Sequence, residues 1–437
     1  MLFHRPSDGW FNMPSVTRRF GAARPTSYDQ HMEPLDPRPL DILDGEFYVD
    51  GDTYAKYAWL REHAPCHWDE VNELWVVTRY DDIVEIEKNK HVFINSDKEK
   101  GGYRPNIPAD SSIIGCDDPL HLARRNLVSR RFTPRAVSQW DDEVRDTVDA
   151  LLDPVLERGH GEIVGELAAP LPAQMIGLLL GFPDEMWPKL QHWSETTIAL
   201  GGGPRYHEEE GIISAMEFAG ACAELYEAKK ADVANGCPHD DVMTKWVNTE
   251  AETGGEVGGV PFGLDQIISD CLLLLDGGAE TTRTVIARSL LALADHPEQW
   301  QLLKDGADIE VAAEEFIRYV TPIHNFCRLA TDDVELHGQT IRKGQQVVMA
   351  YGSANRDPAH FDRPEALDIT RTPNHHISFG FGTHFCLGAS LARLEIRTFF
   401  ERLRQRVDHI ERIEGSAHVE MPNAFVFGLK EAHLAFS

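Results

Sequence analysis

Basic residues are in short supply in this chain. Its 437 residues hold 42 lysines and arginines against 71 aspartates and glutamates, a formal net charge of -29. That balance excludes nucleic acid and an anionic membrane surface as partners. Cysteine is scarce as well. The seven, Cys66, Cys116, Cys222, Cys237, Cys271, Cys327 and Cys386, are scattered and odd in number. They exclude a disulfide framework and point to a reducing, cytoplasmic setting. The first residues, Met1 to Asp8, contain no apolar run that would make a signal peptide or a membrane anchor. Internal repeats and low-complexity linkers are missing too, which removes solenoids and tethered arrays.

What is present is enough apolar material for a large core, 42% of the residues. Residues 1–40, rich in proline and arginine, read as an extended N-terminal arm, and 41–437 as a single domain. Periodicity predicts helices over 52–64, 81–88, 141–157, 172–181, 185–199, 208–234 and 309–320. Strands are predicted at 74–80, 334–336, 346–350 and 425–429. The longest helix runs from Asp265 to about residue 294, roughly 45 Å at the standard rise. In its middle stands Asp276-Gly-Gly-Ala-Glu-Thr-Thr282. Two central glycines cost a helix about 1 kcal/mol each, so a function is expected there. Taken alone, Thr281 also suits a hydrogen bond back to a carbonyl one turn earlier.

The second centre is Phe379-Gly-Phe-Gly-Thr-His-Phe-Cys386-Leu-Gly-Ala-Ser-Leu-Ala392. No other cysteine lies within four residues of Cys386, so there is no zinc half-site. Gly380 and Gly382 allow a tight turn, and a helix over 387–400 follows, which puts Cys386 where free N–H groups favour a thiolate. The competing readings are a buried structural cysteine and a metal site built with His375, His376 and His384. Of these, His375 and His376 read as surface residues. Between His121 and Val137 lie five arginines and no acid. His121 and Arg125, four apart on one helix face, can reach one anion. The rest of the run reads as a solvated face or as a dock for an acidic partner.

The Cys386 stretch resembles the haem-binding loop of the cytochrome P450 family, F-G-x-G-x-H-x-C-x-G-x-x-x-A, and Gly277 to Thr282 resembles that family's distal-helix pattern [AG]-G-x-[DE]-T-[TS]. The resemblance runs from about residue 45 to the C-terminus. It implies a mainly α fold with small β-sheets, with haem b (iron protoporphyrin IX) held between the long distal helix and the Cys386 loop. Cys386 is then the axial ligand. His121, Arg125, Arg328 and His384 anchor propionates, while Phe379, Gly388 and Gly278 complete the cofactor site. Glu280 and Thr281 deliver protons. Glu315-Phe-Ile-Arg318 matches the structural E-x-x-R motif, with Arg371 implied as its third member. Leu367 stands where the family usually has Phe.

The implied reaction is monooxygenation with O2, using electrons from a ferredoxin and its reductase. The alternatives are a peroxide-driven peroxygenase on fatty acids, and a haem sensor or carrier. Neither of these needs the Glu280–Thr281 pair. The expected substrate pocket is apolar, formed by Leu272, Leu275, Ala279, Ile323, Phe326, Phe425 and Val426, for a lipophilic substrate. Stretches such as Gly101-Gly-Tyr-Arg-Pro105 and Asn423-Ala-Phe-Val-Phe-Gly428 are similar to actinobacterial enzymes that oxidise a sterol side chain; terpenoids suit the same pocket.

Overall fold

The longest expected helix is present, with its middle turn widened. In the computed structural model, which describes residues 33–437 apart from Pro238, it runs as two α-helical segments joined by a π-helical turn over Asp276–Glu280. The helices that matter here are α1 (Tyr80–Lys88), α2 (Leu120–Val128), α3 (Trp187–Thr197), α4 (Leu264–Leu275), α5 (Thr281–Asp295), α6 (Ile309–Val320) and α7 (Ala389–Arg404). Most of the expected arm lies outside the described residues. Its end, 33–40, has no helix or strand but is tied down, with Leu40 buried and the Leu35 N–H donating to the Ala55 carbonyl.

Helix α6 illustrates how sequence sets these elements. Asp308 caps it by accepting the Glu310 N–H at 2.9 Å. Ala312, Ala313, Phe316, Ile317 and Val320 form its buried stripe, and Phe316 meets Phe400 of α7 at 4.5 Å between ring centroids. These residues belong to the core that joins α5, α6 and α7. Removing a buried phenylalanine of this kind costs about 3–5 kcal/mol.

The largest sheet has five strands: β1 (Cys66–Asp69), β2 (Leu74–Val77), β3 (Phe93–Ile94), β4 (Asn325–Ala330) and β5 (Gln346–Ala350), in spatial order β1-β2-β5-β4-β3. Strand β5 lies between a parallel and an antiparallel neighbour and is buried along its whole length. The expected strand at 425–429 is replaced by a single bridge from Val426 to Ile323 and a strand at Leu429–Glu431. The asparagine at 423 explains the shift. Its side-chain oxygen accepts the N–H groups of Phe425 and Val426, which curls the segment. Among the described residues, no helix is long and apolar enough to cross a membrane.

Candidate functional site

Between α4–α5 and the Cys386 loop lies a cavity of about 1600 Å³ of empty space, part of it open to solvent. Its proximal wall is built by two glycines. Gly380 and Gly382 both take positive φ, +70° and +69°. A side chain on Gly382 would strike the Glu87 carbonyl, 2.8 Å from an added Cβ. The turn returns the chain so that the Cys386 N–H donates to the Phe379 carbonyl at 2.9 Å. Burial pushes the Cys386 thiol up, while the N–H groups of Gly388 and Ala389 and the charges of Arg125 and Arg393 pull it down; the net direction is up. Phe379 packs beneath, with the Arg393 guanidinium 4.5 Å from its ring centre. A Cβ on Gly388 would meet nothing within 4 Å, so the wall beside the sulfur is flat and open.

Two guanidiniums and two imidazoles gather at one edge of the cavity. His121, Arg125, Arg328 and His384 all line it. The His121 ring lies 4.1 Å from that of His384. His121 uses Nδ1 on Asp118 at 3.3 Å, and its Nε2 is buried without a partner. Burial, then the neighbouring Arg328, His121 and Arg125, hold His384 down to about 2. Arg125 donates to the Phe385 carbonyl at 2.6 Å. Arg328 is already engaged, donating to the Glu87 carboxylate at 2.7 Å; Tyr351 hydrogen-bonds the same carboxylate. Sequence reading missed Glu87 and Tyr351, which nothing local marks as part of the site. An orphaned histidine nitrogen, a cluster of cations and a flat wall over a cysteine fit a planar, acidic, iron-bearing cofactor such as haem.

On the opposite wall the π turn opens the helix. The Thr281 hydroxyl donates back to the Gly277 carbonyl at 2.8 Å while still lining the cavity. Glu280 does not line it. It is 2% exposed and faces away, held by Arg283 and by the Ser194 hydroxyl at 3.0 Å. Burial raises its pKa against the pull of Arg283. Gly278 also borders the cavity.

The apolar lining differs in part from expectation. Ile323, Phe326 and Phe425 do border the cavity. Leu272, Leu275, Ala279 and Val426 do not: Leu275 and Val426 are fully buried in separate clusters, Leu272 packs against the first of these, and Ala279 is 2% exposed. Their places are taken by Leu273, Leu274, Gly277 and Gly278. Two charged residues, Arg104 and Asp276, also enter the lining, against the expectation of a wall without charge. Asp276 accepts the Thr197 hydroxyl at 2.6 Å, and burial pushes its pKa up to about 7.

Glu315, Arg318 and Arg371 do come together: Arg318 donates twice to Glu315 at 2.8 Å, and Arg371 once at 3.0 Å. The metal alternative does not form, because no group of three or more His, Cys, Asp or Glu among the described residues is arranged to hold an ion. His376 is no surface residue; its side chain is 2% exposed and bonds Glu314 at 3.1 Å. The arginine run is less free than it reads. Arg124 is buried in an ion pair with Asp270 at 2.5 Å, and Arg131 pairs with Asp240 at 2.6 Å.

Three comparisons bear on this site. A family model described as Cytochrome P450 matches residues 309–432. A steroid C26-monooxygenase of Mycobacterium tuberculosis is 34% identical over 403 residues, covering 91% of this chain and 97% of its own. Among solved structures, Mycobacterium marinum cytochrome P450 CYP268A2 in complex with pseudoionone superposes with a TM-score of 0.80 at 31% identity, covering 91% of this chain and 99% of its own. CYP109E1 from Bacillus megaterium in complex with testosterone gives 0.77 at 30%, covering 88% and 97%.

Proposed function

The chain belongs to the cytochrome P450 family and is a monooxygenase, and we propose that it inserts one oxygen atom from O2 into a lipophilic substrate, a sterol side chain or a terpenoid. The observation that carries this reading is the cavity itself, with Ile323, Phe326, Phe425, Leu273 and Leu274 on its walls above Cys386. The similarity to steroid C26-monooxygenases favours the sterol side chain. In this reading residues 41–437 form one catalytic domain that works in the cytoplasm, where its seven free cysteines stay reduced.

The family implies a haem-iron cofactor, and haem b is the form proposed. When bound, it supplies the activation of O2. Cys386 would hold its iron. His121, through its unpartnered Nε2, and Arg125 would bind the propionates together with His384 and Arg328. Phe379 and Gly388 shape the proximal face, and Gly278 the distal one. The chain's own task on the distal side is proton supply. Thr281 presents a hydroxyl to the cavity, and Glu280 stands behind it as the buried acid that reloads it. Electrons come from a ferredoxin served by its reductase. The supporting surface is the exposed Arg130 and Arg135 with the exposed apolar Leu122, Phe381 and Phe385 on the Cys386 side.

The test is turnover of a sterol and a terpenoid panel by the holoenzyme with ferredoxin, reductase and labelled O2. The expected product carries one labelled oxygen, and Cys386→Ala abolishes both turnover and the long-wavelength absorption of the reduced carbon-monoxide complex. Product formed from hydrogen peroxide alone, with none from O2 and electrons, would make the protein a peroxygenase instead.

A further inference from the structure

The cavity contains a cation that the protein leaves unmatched. Arg104 lines it, yet among the described residues its guanidinium has no ion-pair partner, and its Nε is buried with no hydrogen-bond partner. Two aromatic rings lie beside it: the guanidinium carbon is 5.1 Å from the Tyr103 ring centre and 5.5 Å from that of Phe425. Ring faces attract a cation but satisfy none of its five N–H donors. The acids within electrostatic reach are committed elsewhere. Asp110 accepts from Tyr103 and Ser112, and Asp276 accepts from Thr197. Glu87, also on the cavity wall, is taken by Arg328 and Tyr351.

Nor is Arg104 a loose surface side chain that happens to lean inward. Its backbone is clamped by two residues of the sheet, Gln346 of β5 and Cys327 of β4. The Gln346 amide donates to the Gly101 carbonyl at 3.0 Å and to the Arg104 carbonyl at 3.4 Å. The Gln346 oxygen accepts the Asn106 N–H at 2.9 Å, and the Cys327 N–H donates to the Tyr103 carbonyl at 2.9 Å. A cation set on so firmly held a backbone in an apolar chamber costs stability unless an acceptor arrives with the ligand. Guanidinium forks match carboxylates in two-point geometry, and a fork on a fixed backbone binds with less ordering cost than one on a mobile loop.

We propose that Arg104 is the anchor for a carboxylate on the substrate, so that the enzyme oxidises a lipid acid held by its charged end while its hydrocarbon part fills the apolar walls. This rests on the lipophilic-substrate reading above and narrows it to amphiphiles with an acidic group. Asp276 shares the chamber and is the group an entering anion must tolerate; its protonated form does so by hydrogen bonding rather than repulsion.

The experiment titrates the holoenzyme with palmitic acid, methyl palmitate and testosterone, reading the shift of the haem spin state. The wild type is expected to bind palmitic acid at least tenfold more tightly than its methyl ester. Arg104→Gln should weaken palmitic acid at least tenfold and leave the ester and testosterone unchanged, and Arg104→Lys should keep a preference for the acid. Equal affinity for acid and ester in the wild type overturns the anchor without needing any variant, as does full palmitic acid affinity in Arg104→Gln. If none of the three ligands shifts the spectrum, the lipophilic-substrate reading falls, and the anchor with it. If the ester and testosterone bind and the acid gains nothing, only the anchor falls.

Discussion

Arg283 clamps Glu280 from one turn further along the same helix: its Nη1 donates to both carboxylate oxygens, at 2.9 and 2.8 Å. The pair is buried, so of the two expected relay residues the acid stands behind the cavity wall and Thr281 alone lines the chamber. That order of groups defines what each substitution does.

Thr281→Ala is expected to leave substrate binding intact and to waste electrons. Loss of one proton-relay group costs about 10²–10⁴-fold in the step it serves. Product formed per electron consumed is the measurement, and Thr281→Ser should restore most of it. An unchanged yield in the alanine variant would leave Thr281 with only its bond to the Gly277 carbonyl.

The Asp276 carboxyl predicts a pH signature. Burial lifts it from 3.8 to about 7. Between those values the folded chain holds a proton that the unfolded chain releases, so stability falls as pH rises through the window. The contribution is full below about 3.8 and gone above about 7. Asp270 titrates in the same direction, so the difference between wild type and Asp276→Asn isolates this group. Denaturant midpoints should fall more steeply from pH 4.5 to 7 in the wild type than in the variant.

Glu315 pairs with two buried guanidiniums, those of Arg318 and Arg371. Glu315→Ala strands both. Breaking one buried pair costs about 3–5 kcal/mol, and that is the minimum expected here. Urea unfolding of the variant, or its failure to accumulate as folded protein, is the readout. Glu315→Gln, which keeps hydrogen bonds to both arginines, should lose less.

Reduction by ferredoxin should depend on Arg130 and Arg135, which are exposed. Charge reversal at both should slow ferredoxin-supported turnover and flatten its decline with salt, while reduction by dithionite is unchanged. Arg124 belongs to the core rather than to this face, because its partner Asp270 is equally buried. Equal rates for wild type and the double variant across a salt series would move the docking surface elsewhere.

The sequence carried most of this architecture because its markers are local. Helix ends at Asp308 and Gly159 follow from capping chemistry, and the Gly380–Gly382 turn follows from glycine's tolerance of positive φ. The pairing of Glu315 with Arg318 follows from their i, i+3 spacing on one helix, which the E-x-x-R motif preserves. The expected lining of Leu272 and Leu275 was not met because α-helical counting upstream of Glu280 ignores the π turn. One extra residue in that turn shifts the face before it by one position, so Leu273 and Asp276 line the cavity where Leu272 and Leu275 were expected. Arg124 and Arg130 look alike in a run of charge; only tertiary packing against α4 separates them. Arg104 and Asp276 come from segments more than 170 residues apart in the chain, and no period in the sequence brings a loop and a helix to the same chamber.

The two glycines of the widened turn divide the variation open to this enzyme. A methyl group on Gly277 would meet nothing within 4 Å, whereas on Gly278 it would lie 2.3 Å from a carbon of Ile176. Selection for a smaller or differently shaped substrate therefore has a path through position 277 that leaves the scaffold intact. Position 278 offers no such path unless Ile176 changes with it, so the two sites are expected to drift under different rules, one with diet and the other only in step with its neighbour.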